Sequence, residues 1–303
     1  MEHSRITVLD RLTGNTFNEK VYGESLLRAI YEKPLLTPLK HGISRCAFVS
    51  KGYGWLQKGW WSKKKIQPFI QKYAIDTSEF LESVDSFRSF NDFFIRKLKP
   101  SARPISAADA VIPADGRYFF YENIEKAEGF VVKGQKFSLK ALLGDDLLAE
   151  KYKEAAMVMA RLCPTDYHRF HVPVDGVGGS PRQINGYLYS VNPIAVRQNI
   201  SIFSENKRVI TSLSSDLFGD VIFIEVGATN VGSIVHTSQA NAALKKGDEK
   251  GYFEFGGSSL IVLFPKGSIA FDSDLLEATH QGMEIRCLMG QSMGLAVASH
   301  FRK

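Results

Sequence analysis

Two glycines followed by two serines form the part of this sequence that is best suited to covalent chemistry. Gly256 and Gly257 precede Ser258 and Ser259, and the apolar run 260–264 follows at once. Glycine leaves its carbonyl unhindered, and a strand built from the apolar run would hold the next hydroxyl rigidly. The Ser258 hydroxyl could therefore attack the Gly257 carbonyl and replace the amide bond with an ester. The alternative is structural, a glycine turn that enters a buried strand.

Such an attack would end in a reactive terminal ketone. β-Elimination from the ester leaves dehydroalanine at position 258, and hydrolysis converts it to a pyruvoyl group. A ketone at a chain terminus can form a Schiff base with an amine and accept electrons, as pyridoxal phosphate does. Gly257 and Ser258 are thus a candidate self-cleavage site with a covalent cofactor as its product.

Two further stretches could supply acid–base chemistry. His168 and His171 lie three residues apart between prolines, and histidine exchanges protons near neutral pH. Asp115 lies in an Asp-Gly turn between apolar segments, where a carboxylate can be directed into a site. In a triad of Asp115, His171 and Ser258, the acid orients the base and the base accepts the hydroxyl proton. The structural alternatives are an ordinary turn aspartate and hydrogen-bonded core histidines.

The histidine pair also permits a metal-site hypothesis. Asp115, His168 and His171 could ligate Zn²⁺ in a metal-dependent hydrolase. A His-x-x-His spacing outside a helix is uncommon for zinc, and this hypothesis gives Gly257 and Ser258 no role. We therefore predict no metal site and keep the hydrolase as an alternative.

The elements that must position these residues change in character near residue 100. In the first hundred residues, apolar side chains recur at helical spacing: Leu26, Leu27, Ile30 and Tyr31, then Ile66, Phe69, Ile70 and Tyr73. Ser89 and Asp92 resemble a capping box for a helix that begins at Phe90. From about residue 105, short β-like runs follow at 118–121, 130–132, 157–162, 187–191, 209–213, 221–226, 233–235 and 259–264.

One helix is predicted between these strands. Ser138 would be its N-cap, with five leucines facing inward: Leu139, Leu142, Leu143, Leu147 and Leu148. Many strands and few helices predict an α+β fold, with N-terminal amphipathic helices packed on a β-rich, largely antiparallel sheet core. We expect a helical, basic, membrane-docking region at 1–100 and a β-rich catalytic domain at 101–303.

The positive charge of the chain is concentrated near its N-terminus. The net charge is +6, but the segment 24–75 alone contains ten Lys or Arg and two acids. The three tryptophans, Trp55, Trp60 and Trp61, also lie there. Lysine with tryptophan suits an anionic membrane surface, where lysine meets lipid phosphate and indole lies at the headgroup level. A solvated basic face and a nucleic-acid patch are the alternatives, and we predict a membrane surface and no nucleic acid.

Other features of the composition limit the location. The three cysteines are far apart, which indicates a reducing compartment and no disulfide framework. Residues 1–12 show no apolar core before a small-residue cleavage site, and no apolar run approaches the ~20 residues that span a bilayer. We expect no signal peptide, no transmembrane helix and a peripheral position on the cytoplasmic face of a membrane.

Taken together, the motifs resemble the pyruvoyl-dependent phosphatidylserine decarboxylase family. The resemblance rests on 89–98 (SFNDFFIRKL), 113–116 (PADG), 166–171 (DYHRFH), 206–209 (NKRV), 226–234 (VGATNVGSI) and 255–259 (FGGSS). The Gly-Gly-Ser form, with Gly247-Asp248-Glu249 upstream, resembles one branch of the family. Many members have Thr after the cleavage serine, where this chain has Ser259.

The resemblance implies a proenzyme that cuts itself between Gly257 and Ser258. It implies a β chain of 1–257 and an α chain of 258–303 that remain together as a heterodimer, with Ser258 becoming the pyruvoyl group. Asp115 and His171 match the family's acid and base for self-cleavage, and His168 matches the histidine assigned to decarboxylation. The expected reaction converts phosphatidylserine of an anionic membrane into phosphatidylethanolamine through a Schiff base.

Family members often form homodimers, and this property is expected here by the same resemblance. A non-catalytic lipid-binding protein, in which the basic helices bind the membrane and the histidines are structural, stays open beside the hydrolase.

Overall fold

Strands make up most of the fold. The computed structural model describes residues 6–19, 54–126, 138–196, 199–228, 234–256 and 258–297. In these ranges the strands are β1 (Thr7–Asp10), β2 (Thr16–Asn18), β3 (Ala110–Val111), β4 (Gly116–Tyr121), β5 (Ala156–Leu162), β6 (Arg169–His171), β7 (Gly176–Gly178), β8 (Arg182–Ile184), β9 (Arg208–Ser215), β10 (Gly219–Gly227), β11 (Ile234–His236), β12 (Ala243–Leu244), β13 (Glu249–Phe253), β14 (Ser258–Phe264), β15 (Ile269–Phe271), β16 (Glu284–Cys287) and β17 (Ser292–Ala296).

Helices are short in the same ranges. The α-helices are α1 (Ile66–Tyr73), α2 (Phe90–Phe94), α3 (Leu139–Leu143), α4 (Asp146–Lys151), α5 (Pro193–Val196), α6 (Ile202–Glu205) and α7 (Ser273–His280). Residues 54–58 are also helical. Short 3-10 helices lie at Trp60–Lys65, Thr77–Glu79, Val84–Ser86 and Pro100–Ala102.

A large, mostly antiparallel sheet organises the described part of the chain. Its strand order is β12-β7-β9-β10-β14-β5-β4-β16-β1-β2, with β8 also paired to β9. The β1–β16 pair is parallel, and the other pairs of this sheet are antiparallel. Two three-stranded sheets, β11-β13-β6 and β15-β17-β3, accompany it. The mixed α/β fold with a β-rich antiparallel core agrees with the sequence prediction.

Strand β14 is buried on both faces because it runs between β10 and β5. Leu260, Val262 and Phe264 enter one hydrophobic core, and Ile261 and Leu263 enter the core on the opposite face. An unbroken apolar run is what a strand covered on both sides requires. This burial fixes the register of the residues at the start of β14, because a one-residue slip would exchange the two faces.

Helices α1 and α2 share an aromatic cluster with the end of the β13–β14 connection. The cluster contains Ile66, Phe69, Phe80, Phe87, Phe90, Phe93, Phe94 and Phe255. The helix spacing predicted for 66–73 and the cap predicted at Ser89 are both observed. Ser89 Oγ accepts the Asp92 N–H at 3.1 Å, and the Asp92 carboxylate accepts the Arg88 N–H at 2.9 Å. The first bond satisfies a donor that the first turn of a helix leaves open, and the second holds the residue that precedes the N-cap.

The helix predicted after Ser138 is two helices in the structure. Ser138 caps α3 as predicted, but Gly144 ends it with φ 59°, and Asp145 caps a new helix, α4. The change in direction leaves Leu142 and Leu143 buried, whereas Leu147 is 86% exposed. The prediction that Leu147 faces inward is therefore wrong, because a left-handed glycine restarts the helical phase.

The strand predicted at 187–191 is also wrong. The Asn206 side chain accepts the Tyr189 N–H at 2.9 Å and donates to the Tyr189 carbonyl at 2.8 Å. A side-chain amide thus takes the place of a neighbouring strand, and within the described residues this stretch makes a single bridge, Tyr187 with Asn206. The predicted strands around 118–121, 157–162, 209–213, 221–226, 233–235 and 259–264 are observed, with shifted ends.

The first hundred residues are not purely helical. Strands β1 and β2 form a hairpin, and β1 joins the large sheet beside β16. Hydrophobic periodicity gave no signal for strands of four and three residues. The helix predicted at 26–31 and the strand predicted at 130–132 lie outside the described residues.

Candidate active site

Ser258 is held by its backbone, while its hydroxyl is uncommitted. As the first residue of β14, it pairs with Gly227 of β10 on one side and Leu162 of β5 on the other. Its side chain is fully buried, and neither its Oγ nor that of Ser259 has a hydrogen-bond partner among the described residues. Buried hydroxyls are nearly always bonded, so an unpartnered one at the predicted cleavage position is a candidate nucleophile.

Neighbouring side chains fix the strands around Ser258. The Asn206 amide donates to the Gly227 carbonyl at 2.9 Å and so anchors the residue that lies opposite Ser258. On the other side of the cleavage position, the Phe255 N–H donates to Asn91 Oδ1 at 2.8 Å. The rings of Phe90 and Phe255 are 5.2 Å apart. Gly257 itself lies outside the described residues.

Asn91 and Asn206 were not identified as site residues from the sequence. Both lie in motifs that carry the family resemblance, so the motifs offered a signal. Their roles as backbone anchors depend on contacts between segments 164 and 21 residues apart in the chain, and local patterns do not show such contacts.

His168 is a buried, neutral imidazole with one free nitrogen. Its Nδ1 donates to the Asp166 carbonyl at 3.0 Å, and its ring lies 3.8 Å from the Phe94 ring, centroid to centroid. Burial lowers the pKa of His168 to about 3. Because Nδ1 carries the proton, Nε2 has a lone pair, and within the described part of the chain Nε2 has no hydrogen-bond partner. This nitrogen can accept a proton.

An ion pair fixes the loop that carries His168. Arg117 of β4 contacts the Asp166 carboxylate, which also accepts the Cys163 N–H at 2.7 Å. Burial alone would raise the pKa of Asp166, but the Arg117 guanidinium and these hydrogen bonds hold the pKa below its ordinary value. The ionised carboxylate therefore holds the loop, which has no strand ladder of its own until β6 begins at Arg169.

His171 has both ring nitrogens engaged. Its Nδ1 donates to the Gly247 carbonyl at 2.9 Å, so its Nε2 accepts the Tyr167 hydroxyl at 3.2 Å. Burial lowers the pKa of His171. Its backbone N–H donates to Pro113 at 2.7 Å, which brings His171 alongside the segment that leads to Asp115.

Asp115 is bonded to an arginine and not to a histidine. Its carboxylate accepts Nε and Nη2 of Arg103 at 2.9 and 2.6 Å, and the Met289 N–H at 2.9 Å. Arg103 also bonds Glu79, and these carboxylates raise its pKa against the effect of burial. The structure thus brings Asp115 and His171 to neighbouring segments without a hydrogen bond between them or from either to Ser258 among the described contacts.

A cavity of about 350 Å³ lies beside the loop that precedes His168. Its charged lining includes Arg96, Arg103, Arg117, Arg286, Asp115 and Asp166. Arg103 and Arg117 are paired with carboxylates, whereas the hydrogen bonds of Arg96 in the described region go to the carbonyls of Thr165 and Asp166. A cavity of mixed charge suits a small polar group that carries both signs.

The described residues contain no group of three or more His, Cys, Asp or Glu side chains arranged to hold a metal ion. Asp115, His168 and His171 are each bonded to other partners, so the ligand set of the hydrolase hypothesis does not converge here. No described helix has the length and apolar character needed to cross a bilayer.

Three exposed tryptophans mark one surface. The exposed fractions of Trp55, Trp60 and Trp61 are 65%, 79% and 40%. Their rings contact one another, with centroids 6.1 Å apart for Trp55 and Trp61 and 6.2 Å apart for Trp60 and Trp61. The basic side chains Lys63, Lys64 and Lys65 lie in the same 3-10 turn.

Comparison with known proteins gives a consistent result. The family model described as "Phosphatidylserine decarboxylase" matches residues 90–295. The chain is 50% identical to a phosphatidylserine decarboxylase proenzyme of Chlamydia caviae over 96% of this chain and 98% of that one. Its identity is 46% to a proenzyme of Chlamydia pneumoniae and 42% to one of Fusobacterium nucleatum, with at least 94% of each chain covered.

The matched region contains α2, the His168 loop and β14, together with β5 and β10, the strands that pair with Ser258. Together with the near-complete coverage of the relatives, this match shows that the chain belongs to the phosphatidylserine decarboxylase family.

Proposed function

We propose that this enzyme decarboxylates phosphatidylserine with a pyruvoyl group that it makes by cutting itself between Gly257 and Ser258. The observation that carries the proposal is the buried Ser258 hydroxyl, which has no hydrogen-bond partner in the described region and begins a central strand. The relatives are named proenzymes, which agrees with a chain that needs processing.

Self-cleavage is an internal rearrangement followed by hydrolysis. Ser258 Oγ bonds to the Gly257 carbonyl carbon, the amide C–N bond breaks, and the hydroxyl proton goes to the released amine. The ester then loses the Ser258 α-proton and its Cβ–Oγ bond, so Gly257 leaves as a carboxylate. Water replaces the amine nitrogen, which departs as ammonia, and the ketone remains at position 258. Ser258 is fully buried, so the pyruvoyl group would form away from bulk solvent.

His171 and Asp115 are the proposed base and acid of the cleavage. Burial lowers the pKa of His171, so its ring is neutral and can accept a proton at neutral pH. To reach Ser258, its Nε2 must exchange the Tyr167 hydroxyl, held at 3.2 Å, for the serine. Asp115 lies on the segment next to His171 and supplies negative charge to the imidazolium that forms.

His168 is the proposed acid–base residue of decarboxylation. When formed, the pyruvoyl group supplies a ketone that condenses with the substrate amine and takes up the electron pair released with carbon dioxide. We assign the free Nε2 of His168 to the proton transfer that ends at the α-carbon. This nitrogen is buried away from solvent.

The charged cavity is the proposed site of the lipid headgroup. Phosphatidylserine carries phosphate, carboxylate and ammonium groups, and the lining offers arginines and carboxylates. Arg96 is the guanidinium there whose described hydrogen bonds go to carbonyls only. We expect Arg96→Met to raise KM more than it lowers kcat, measured with phosphatidylserine in detergent micelles. An unchanged KM would remove Arg96 from the binding site.

Membrane attachment is proposed at the surface that carries Trp55, Trp60 and Trp61. Indoles that are largely exposed next to lysines suit the headgroup region of an anionic bilayer on its cytoplasmic side. We expect Trp60→Ala to weaken sedimentation with phosphatidylserine vesicles, while Leu147→Ala, at a similarly exposed position, leaves it unchanged.

The two fragments of the cleaved chain would stay together. Strand β14 of the 258–303 fragment is paired on both edges, with β10 and β5 of the 1–257 fragment. Strand β16 is likewise paired with β1 and β4. Separation would break these ladders and expose the cores, so we propose a stable α/β heterodimer. Two predictions from the sequence remain proposals. One is the division of the chain into a helical, basic region at 1–100 and a catalytic domain at 101–303, and the other is a homodimer.

An intact-mass spectrum of the purified protein under denaturing conditions tests the proposed function. We expect two species, 1–257 and 258–303, with the mass of the N-terminal serine replaced by that of pyruvoyl. Ser258→Ala should give one species of 33.8 kDa. A wild-type chain that stays whole after incubation with anionic phospholipid would overturn the proposal.

A further inference from the structure

A buried ionic cluster shares one sheet face with Ser258. We infer that Glu225, held by Lys250, is the base that removes the Ser258 α-proton during self-cleavage. The inference rests on the proposed self-processing, which takes two protons from Ser258, one from its hydroxyl and one from its α-carbon. The triad contains one base, His171, for these two steps.

The strand register places Glu225 on the side of Ser258. In the β10–β14 pair, Gly227 lies opposite Ser258 and Glu225 lies opposite Leu260. Side chains alternate between faces, so Glu225, Leu260 and Ser258 point to the same side of the sheet. Phe223 and Leu260 belong to one core, which confirms this face.

Glu225 and Ser258 are therefore diagonal neighbours on paired strands. Diagonal positions are about 7–8 Å apart between Cα atoms, within reach of a long side chain. Gly227, opposite Ser258, has no side chain to fill the space between them. The Glu225 side chain is therefore long enough to extend toward the α-carbon and Cβ of Ser258.

The cluster leaves one carboxylate oxygen free. Glu225 Oε1 contacts the Lys250 ammonium and lies 3.2 Å from His236 Nε2. Lys250 also donates to Thr211 Oγ1 at 3.0 Å. Glu225 Oε2 is buried and, in the described part of the chain, has no hydrogen-bond partner. Because Oε1 makes the contacts with Lys250 and His236, Oε2 is available to accept a proton.

The surroundings keep Glu225 charged in an apolar core. Burial alone would raise its pKa, but the Lys250 charge and the His236 hydrogen bond lower it below the ordinary value. The Lys250 ammonium lies 5.8 Å and 5.1 Å from the centres of the Phe170 and Phe223 rings. A buried ion pair in such a place is weak evidence for stability alone, and a functional role accounts for the unused oxygen.

The proposed step is balanced within the chain. In the ester, Glu225 Oε2 takes the α-proton, the Cα–Cβ double bond forms, and the Cβ–Oγ bond breaks with its electrons on the Gly257 carboxylate. The proton on Glu225 can then pass to Cβ, which becomes the methyl group of the pyruvoyl. No other reactant enters until water replaces the nitrogen.

The test follows freshly synthesised full-length chains by intact mass, with and without hydroxylamine. Hydroxylamine cleaves esters under conditions that leave amides intact. For Glu225→Gln we expect cleavage to pyruvoyl to slow by about 10² or more, the usual effect of losing a general base. Hydroxylamine should then release 258–303 with an N-terminal serine, because the ester forms but cannot eliminate.

A double variant separates this role from folding. Glu225→Gln leaves Lys250 buried without its anion, whereas Glu225→Gln with Lys250→Met removes both charges. We expect the double variant to melt near the wild-type temperature and still accumulate the ester. Arg11→Met with Asp274→Asn, which removes an ion pair between the β1–β2 turn and α7, is the matched control and should cleave normally.

Two results would overturn the inference. One is normal cleavage by the folded double variant, and the other is slow cleavage without any hydroxylamine-sensitive ester. Ser258→Ala should be uncut and resistant to hydroxylamine, because it cannot form the ester. This variant tests the proposed self-cleavage, whereas the Glu225 variants test the identity of the base. A wild-type chain that never cleaves would instead overturn the proposed function and this inference with it.

Discussion

The strand region around Ser258 and the loop region around His168 hold their reactive groups in different ways. On the strand, backbone pairing with Gly227 and Leu162 fixes Ser258, and the hydroxyl has no described partner. On the loop, side chains and carbonyls hold the chain in place, as in the Arg117–Asp166 pair and the bond from His168 Nδ1 to the Asp166 carbonyl.

The difference has a physical cause. A central strand receives its order from two ladders, so its side chains need no bonds to stay in place. A loop without a ladder must be ordered by side-chain contacts, which engage most of its polar atoms. A nucleophile that must remain free is therefore better placed on a strand, and proton-transfer groups that need orientation can lie on a loop.

The largest expected effect compares the two serines of the strand. Ser258→Ala should abolish cleavage, whereas Ser259→Ala should leave it nearly unchanged, because Ser259 points to the opposite face beside Val226 and Arg161. Intact mass after purification measures both. Cleavage of Ser258→Ala, or its loss in Ser259→Ala alone, would reverse the assignment of the nucleophile.

The next effect compares His168, on the loop, with His171, at the end of β6. His168→Gln should yield cleaved protein whose decarboxylation is slower by about 10²–10⁴, the range for a lost acid–base group. His171→Gln should remain uncut. Gel analysis of cleavage with an assay for released carbon dioxide separates the two roles. An uncut His168→Gln protein would place His168 in processing instead.

Acid stability provides a third test, because His168 is buried as a neutral ring. Its pKa is about 3 in the fold and about 6.5 in the unfolded chain. Between these values the unfolded chain binds a proton that the folded chain does not, so the free energy of unfolding falls as the pH is lowered from about 6.5 toward 3. The slope from this group is at most about 1.4 kcal/mol per pH unit.

Urea unfolding at several pH values measures this contribution. The His168→Gln variant should lose less stability on acidification than the wild type. Parallel curves for wild type and His168→Gln would contradict the neutral burial of this ring.

The smallest expected effect concerns the anchor before the cleavage position. Asn91→Ala leaves the buried Phe255 N–H without its acceptor, which costs about 1–3 kcal/mol of folding free energy. We expect slower cleavage as well, because the segment that leads to Ser258 is less ordered. Asn123→Ala, in an exposed turn, is the control, and equal cleavage rates for both variants would show that the ladders of β14 are sufficient.

Much of the site was predictable because its parts are local patterns. The Gly-Gly-Ser stretch before an apolar run identified the candidate nucleophile, and the capping residues Ser89 and Asp92 identified α2. The errors arose where the pattern of neighbouring residues was not sufficient to predict the structure. The wrong prediction for Leu147 arose because a glycine with positive φ ends the helix before it. The strand predicted at 187–191 does not form, and the Tyr189 N–H there donates to the side chain of Asn206, which lies later in the chain.

Local patterns in the sequence predicted that Ser258 begins a strand, selected His168, His171 and Asp115 as candidates for proton transfer, and indicated the family, because periodicity, caps and motif order are properties of neighbouring residues. The tertiary structure decided which of these groups are free. Asp115 is hydrogen-bonded to Arg103, and His171 is hydrogen-bonded to Tyr167. The Ser258 hydroxyl and one oxygen of Glu225 have no hydrogen-bond partner among the described residues. Those outcomes depend on strand register and burial across distant segments, which set the distances and the local dielectric on which proton transfer depends.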